Sequence, residues 1–174
     1  MSLMGYGDEH LAGFQQRLEE LQQRYTFGEA AMRLALEQAE HAAAEGEVPV
    51  GAVIMAERRV IAAAHNAPIG LRDPTAHAEI LAIRDAAAHL GEYRLDDTSI
   101  FVTLEPCVMC IGAILHARIA QVYYGARDEK AGALGSVYDI GRDGRLNHRV
   151  EVYGGILSGE CTRLLAEFFE ARRH

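Results

Sequence analysis

Cys107 and Cys110 stand three residues apart behind Pro106, and a β-like run, Ile100-Phe101-Val102-Thr103-Leu104, precedes them. Proline is favoured at the first position of a helix, where its missing N–H is not needed. The spacing then predicts both cysteines on one face of a first helical turn. The unpaired N–H groups and positive dipole end of such a turn favour thiolate over thiol. Thirty positions before Cys107, His77-Ala78-Glu79 opens a second predicted helix. One imidazole and two thiolates make a three-ligand set with an open fourth position, the pattern of catalytic zinc.

Two other readings of the cysteine pair stay open on spacing alone. A thioredoxin-like redox couple needs neither histidine nor glutamate. A structural zinc site needs a fourth protein ligand, from Cys161 or another histidine. The catalytic reading uses the residues as they stand. Glu79 follows His77 by two positions, so the two do not share a helical face. Flanking the same cavity, the carboxylate is placed to carry protons. Taken by itself, a first-turn glutamate is equally an ordinary partner of the helix dipole.

The elements that must position these groups follow from periodicity and punctuation. Leu11, Phe14, Leu18 and Leu21 share a helical face over about residues 8–24. Thr26 with Glu29 forms a capping-box signature for a second helix, with Met32, Leu36, Ala39 and Ala43 inward, ending at Gly46. Val50–Ala56 and Val60–Ala64 read as strands joined by a polar turn, the first buried on both faces. His65-Asn66-Ala67-Pro68 reads as loop, and Asp73-Pro74-Thr75 leads into a helix reaching about Leu90, with Gly91 as its stop. After the cysteine helix come strands at Gln121–Gly125 and Val150–Tyr153 and a final helix with Ser158 as cap and Leu164, Leu165, Phe168 and Phe169 apolar. This order predicts an α/β fold of three layers, α/β/α, with helices on both faces of the sheet. Right-handed crossovers bring both motif helices to one edge of it. The Ile111, Ile114 and Leu115 face serves either the core or an interface between chains.

Composition bounds the class. A chain of 174 residues, 49% hydrophobic, is long enough for one domain with a real core. No apolar run approaches the roughly 20 residues that span a bilayer, and no signal-peptide core is evident near the start. Three cysteines, two of them in the motif, argue for a reducing cytoplasm rather than a disulfide framework. The formal charge of −8 gives no positive evidence for a nucleic-acid partner. Residues 1–50 carry most of it, with nine acidic and three basic side chains, and all but one of the chain's basic residues are arginine, which suits phosphate contact and stacking.

His77-Ala78-Glu79 with Pro106-Cys107-Val108-Met109-Cys110 resembles the signature of the zinc deaminases of bases. From about Thr26 to Arg173 the chain is more closely similar to the bacterial tRNA-specific adenosine deaminase family. Gly46 to Val53, His65-Asn66, Asp73 to Ile80 and Thr103 to Cys110 carry that likeness, as do Gly125 to Asp128, Lys130, Gly135-Ser136, Asn147-His148 and Phe168-Phe169. The resemblance implies a cytidine deaminase-like fold with a mixed five-stranded sheet over residues 26–174. Residues 1–25 are then a helical N-terminal extension, with Met1-Ser2-Leu3 an addition ahead of Met4. It further implies one Zn²⁺ per chain on His77, Cys107 and Cys110, with Glu79 moving protons as adenosine becomes inosine at the wobble position of a tRNA anticodon stem-loop. Asn66 and the backbone N–H of Ala78 or Cys107 would meet the base or the attacking oxygen, and Val50 and Leu104 would wall the ring. Asp128, Lys130, His148, Phe168 and Arg172 would grip flanking nucleotides, in a cytoplasmic homodimer without a membrane partner. Spacing alone reads Asn66 equally as a strand end, Phe168 as core and Arg172 as solvated surface. The alternatives are a deaminase of free cytidine or guanine and a zinc-stabilised RNA-binding module without catalysis.

Overall fold

The computed structural model describes residues 7–173; Met1-Ser2-Leu3 lie outside them. Helix α1 (Asp8–Gln22) buries Leu11, Leu18 and Leu21 and places Asp8 and Glu9 at its positive end. Helix α2 (Phe27–Ala44) is capped by Thr26, whose hydroxyl accepts from Glu29 N at 3.3 Å. Strands β1 (Gly51–Ala56) and β2 (Arg59–His65) are joined through Glu57 and Arg58, both left-handed, as a tight hairpin requires. Then follow α3 (Pro68–Leu71), α4 (Ala78–Leu90), β3 (Thr98–Leu104), α5 (Val108–Ala117), β4 (Gln121–Ala126), β5 (Glu151–Tyr153) and α6 (Ser158–Ala171).

The sheet order is β2-β1-β3-β4-β5. β1 runs antiparallel to both neighbours, while β3, β4 and β5 are parallel. β2 and β3 therefore point the same way, and the helices that follow them start at the same sheet edge. Side-chain alternation divides the core. Ala52, Ile54, Ile100 and Val102 face the layer of α4 and α5. Val53, Met55 and Phe101 face α1, α2 and α6. At Gly51 an added Cβ would lie 2.0 Å from Ala35 O, so only glycine lets α2 approach β1 this closely. α1 also covers the open edge of β2, where the Gln15 side-chain oxygen accepts from Val60 N at 3.1 Å.

Three local expectations are corrected. The loop expected over 65–68 is shorter at both ends: His65 closes β2, and Pro68 opens a helical turn over 68–71, because the Glu47 carboxylate, from outside the segment, accepts from Ile69 N and Gly70 N at 3.3 and 2.7 Å. Pro106 stays outside α5, and Cys107 takes the N-cap position. Leu157, left-handed at φ 53, is the N-cap of α6, which makes Ser158 its first residue. Phe169 is exposed, since at one step past buried Phe168 it turns off the inner face. Ile111 and Ile114 are fully buried in the core, leaving Leu115 half-buried on the outer side of α5.

Asp85 on α4 gives a pH test of packing. Burial pushes its carboxyl up to about 6, and its Oδ2 is buried without a hydrogen-bond partner among the described residues. A raised carboxyl pKa means that stability falls as pH rises through the window from the ordinary value to about 6. Asp85→Asn should therefore stabilise the fold at pH 7 by about 1 kcal/mol after screening of this half-exposed group, or about 2–4 °C in Tm, and by nothing near pH 3.5. Thermal melts at the two pH values check it. A gain that is equal at both would assign the effect to something other than charge.

Candidate metal centre

His77 is the N-cap residue of α4, and Cys107 that of α5, with Cys110 in the first turn of the same helix. Since β2 and β3 end at one sheet edge, the two helix starts meet there. His77 Nδ1 lies 3.7 Å from Cys107 Sγ and 3.4 Å from Cys110 Sγ. Among the described residues these three form a cluster whose donor atoms all lie within 4.8 Å of one another. Tetrahedral zinc, with bonds of about 2.3 Å to sulfur and about 2.0 Å to nitrogen, sets adjacent S and N ligands about 3.6 Å apart. The two observed S–N separations bracket that value, and with all three donors this close the cluster suits a single metal ion.

The electrostatics suit the same use. The Cys110 thiol donates to Cys107, which, with help from His77, pushes the Cys107 thiol down to about 4. Cys110 is pushed upward by that hydrogen bond, by burial and by Glu79. The hydrogen bond with Cys107 raises His77 despite its partial burial. Such a pair releases one proton readily and retains the second until a cation displaces it. Glu79 is 4% exposed. Burial raises its carboxyl, and contact with Cys110 and with His77 opposes the rise.

A chain of hydrogen bonds ties the surroundings together. Asn66 N donates to Val50 O at 3.0 Å, and Ala78 N donates to Asn66 Oδ1 at 3.3 Å. The Ala78 N–H thus orients the Asn66 amide; the sequence reading had aimed it at the attacking oxygen or the base. Val50, just before β1, is buried, and Leu104, at the end of β3, is half-buried. The outlying candidates are more dispersed. Asp128 Oδ1 accepts from Lys130 N and Ala131 N, closing the turn that displays Lys130. His148 Nε2 bonds Ile119 O at 2.8 Å, and the side chain lines a cavity of about 350 Å³ beside α5 with Val108 and Leu115. Phe168 is buried, and the Arg172 guanidinium lies 3.5 Å above its ring, at the loop holding Gly46. Two buried carboxylates escaped the sequence reading. One is Glu47, which holds α3. The other is Glu105, inside the cysteine motif, where a charged residue between Leu104 and Pro106 was the available signal.

The MafB19-like deaminase family matches residues 26–173. A tRNA-specific adenosine deaminase of Haemophilus influenzae is 48% identical over 151 residues, 86% of this chain and 87% of the relative. One from Bacillus subtilis is 40% identical over 148 residues, 85% and 92% of the two chains. A solved tRNA:A34 deaminase, from work on A-to-I editing at the wobble position of transfer RNA, superposes with a TM-score of 0.76 at 44% identity, over 78% of this chain and 98% of that one. A guanine deaminase from Nitrosomonas europaea superposes with a TM-score of 0.69 at 30% identity, over 80% and 83%. The mixed five-stranded sheet and its helices are the cytidine deaminase-like arrangement of these neighbours. On sequence, fold and the convergence of His77, Cys107 and Cys110, the chain belongs to the tRNA-specific adenosine deaminases within the MafB19-like deaminase family.

Proposed function

We propose that the protein deaminates adenosine to inosine at the wobble position of a tRNA anticodon, using one Zn²⁺ per chain held by His77, Cys107 and Cys110. The observation that carries this is the convergence of the three donors beside the buried Glu79 carboxyl. Two thiolates with an imidazole suit zinc over the oxygen-seeking cations. When bound, zinc supplies a Lewis acid that lowers the pKa of water from 15.7 towards about 7. Glu79 moves the protons. Its carboxylate, whose pKa burial raises, takes a proton from the attacking water and passes it to adenine N1, then takes the proton of the new C6 hydroxyl and passes it to the amino group, which leaves as ammonia.

Asn66 orients the base: its Oδ1 is occupied by Ala78 N–H, which turns the amide group in one direction. Val50 and Leu104 wall the ring and keep water from it. Asp128, Lys130, His148 and Arg172 grip the flanking nucleotides, and buried Phe168 acts from beneath by holding the Arg172 guanidinium over its ring. An anticodon loop already splays its bases, so removing one from the stack costs little. The exposed Val108 and Met109, with half-buried Leu115, support a homodimer through α5. Residues 1–25 are an N-terminal extension of the deaminase domain, of which α1 (Asp8–Gln22) is braced on it, and the protein works in the cytoplasm. No helix among the described residues is long and apolar enough to cross a membrane.

The structural likeness to a guanine deaminase supports one rival, turnover of a free base. Incubation with an anticodon stem-loop and, separately, with free adenosine, cytidine and guanine separates the two. Inosine in the RNA alone is the expected result; ammonia from the free compounds alone would overturn it.

A further inference from the structure

The long segment between β4 and β5 is anchored on a buried carboxylate that the reaction above does not use. Glu105 is 2% exposed. Its Oε2 accepts from Leu134 N and Ser136 N at 3.1 and 3.2 Å, and its Oε1 accepts from the Ser136 hydroxyl. Ser136 Oγ in turn accepts from Arg127 Nε at 3.1 Å. All three donors to the carboxylate thus come from residues 134–136. Next to them the loop lies along the cysteine turn: Cys107 and Gly132 form an antiparallel bridge, and Ala133 N donates to Pro106 O at 2.9 Å. Gly132 is required here, because an added Cβ would stand 2.1 Å from Glu105 Oε2 and 2.6 Å from Asp128 O.

A buried carboxylate is tolerated when its oxygens are satisfied by hydrogen-bond donors. Here those donors belong to a loop without helix or strand of its own. We infer that Glu105 is a positioning residue: its carboxylate clamps the 128–136 loop to the Cys107 turn, so that the loop meets the RNA already ordered at a fixed offset from the metal centre. The inference rests on the proposed tRNA substrate and on the loop's Asp128 and Lys130 contacting it. The physical reason is preorganisation, since a loop ordered beforehand spares that entropy loss on binding. The chemistry at the base is left to Glu79 and the metal ligands, so the clamp acts on KM.

Glu105→Gln and Ser136→Ala each weaken the clamp while leaving His77, Glu79 and both cysteines in place. Expected for both is a KM for the anticodon stem-loop raised about tenfold, the range that loss of a hydrogen bond to a charged group allows. The kcat should stay within about twofold and the zinc content should be unchanged. Hydrogen exchange at the Leu134 and Ser136 amides should quicken, and Ser136→Thr, which keeps the hydroxyl, should behave as wild type. Faster exchange with an unmoved KM would reduce Glu105 to a structural role and overturn the inference. So would loss of zinc or of kcat at constant KM, or exchange that does not change. A wild-type protein that forms no inosine in RNA defeats the substrate assignment instead, whereas wild-type turnover with insensitive variants defeats this inference alone.

Discussion

Glu79→Gln is expected to reduce inosine formation in an anticodon stem-loop by about 10²–10⁴-fold, the usual worth of a positioned acid–base group. The amide has the same shape and accepts a hydrogen bond, yet it neither takes a proton from water nor gives one to ammonia. Burial raises the native carboxyl above its ordinary value, the direction that suits a group which both takes and gives protons. Glu79 is not among the three converging donors, so zinc content should be unchanged. Single-turnover assays with metal analysis of the same sample check both halves. A variant that keeps a tenth or more of wild-type activity would remove Glu79 from the proton path.

Removing the metal should act on activity and stability together. Cys107→Ala, Cys110→Ala or exhaustive chelation is expected to abolish deamination, and re-addition of Zn²⁺ should rescue only the chelated wild type. An ion that binds only the native state, at 1,000 times its Kd, stabilises by about 4 kcal/mol. For a domain of this size that corresponds to about 10 °C in Tm. The pH dependence has a definite sign. Cys107 is pushed down to about 4 while Cys110 is pushed up, so near neutral pH one thiol proton must leave when the ion enters. Apparent metal affinity should therefore weaken as pH falls, by about tenfold per unit for the thiol proton and more steeply where His77, itself raised, must also lose a proton. Zinc titrations at pH 6, 7 and 8 measure it, and affinity that does not depend on pH would contradict the dithiol geometry.

The metal set was legible in the sequence because its signals are local. A proline before two cysteines and a histidine at a helix entrance need only the following turn to be read. The sheet was legible because apolar runs such as Val50–Ala56 carry their burial on their face. What escaped reading depends on partners distant in the chain. Residues 68–71 become helical because Glu47 supplies the cap, 22 and 23 positions away. Glu105 reads as a charge stranded between a strand and a proline until the loop 29 and 31 positions on folds back over it. Cys107 occupies a cap rather than a helical turn, a displacement of one residue that leaves both sulfurs facing His77 all the same.

The Gln15 side chain on β2 has a further consequence. An outermost strand presents unpaired backbone groups on which another polypeptide can assemble rung by rung. Gln15 fills one such rung with a side-chain amide that has no successive backbone to extend the ladder. At the opposite margin β5 is only three residues long and includes Glu151, whose charge discourages stacking. Both flanks of the sheet are thereby guarded against intermolecular β-polymerisation, and on one of them the guard is the segment that precedes the deaminase match.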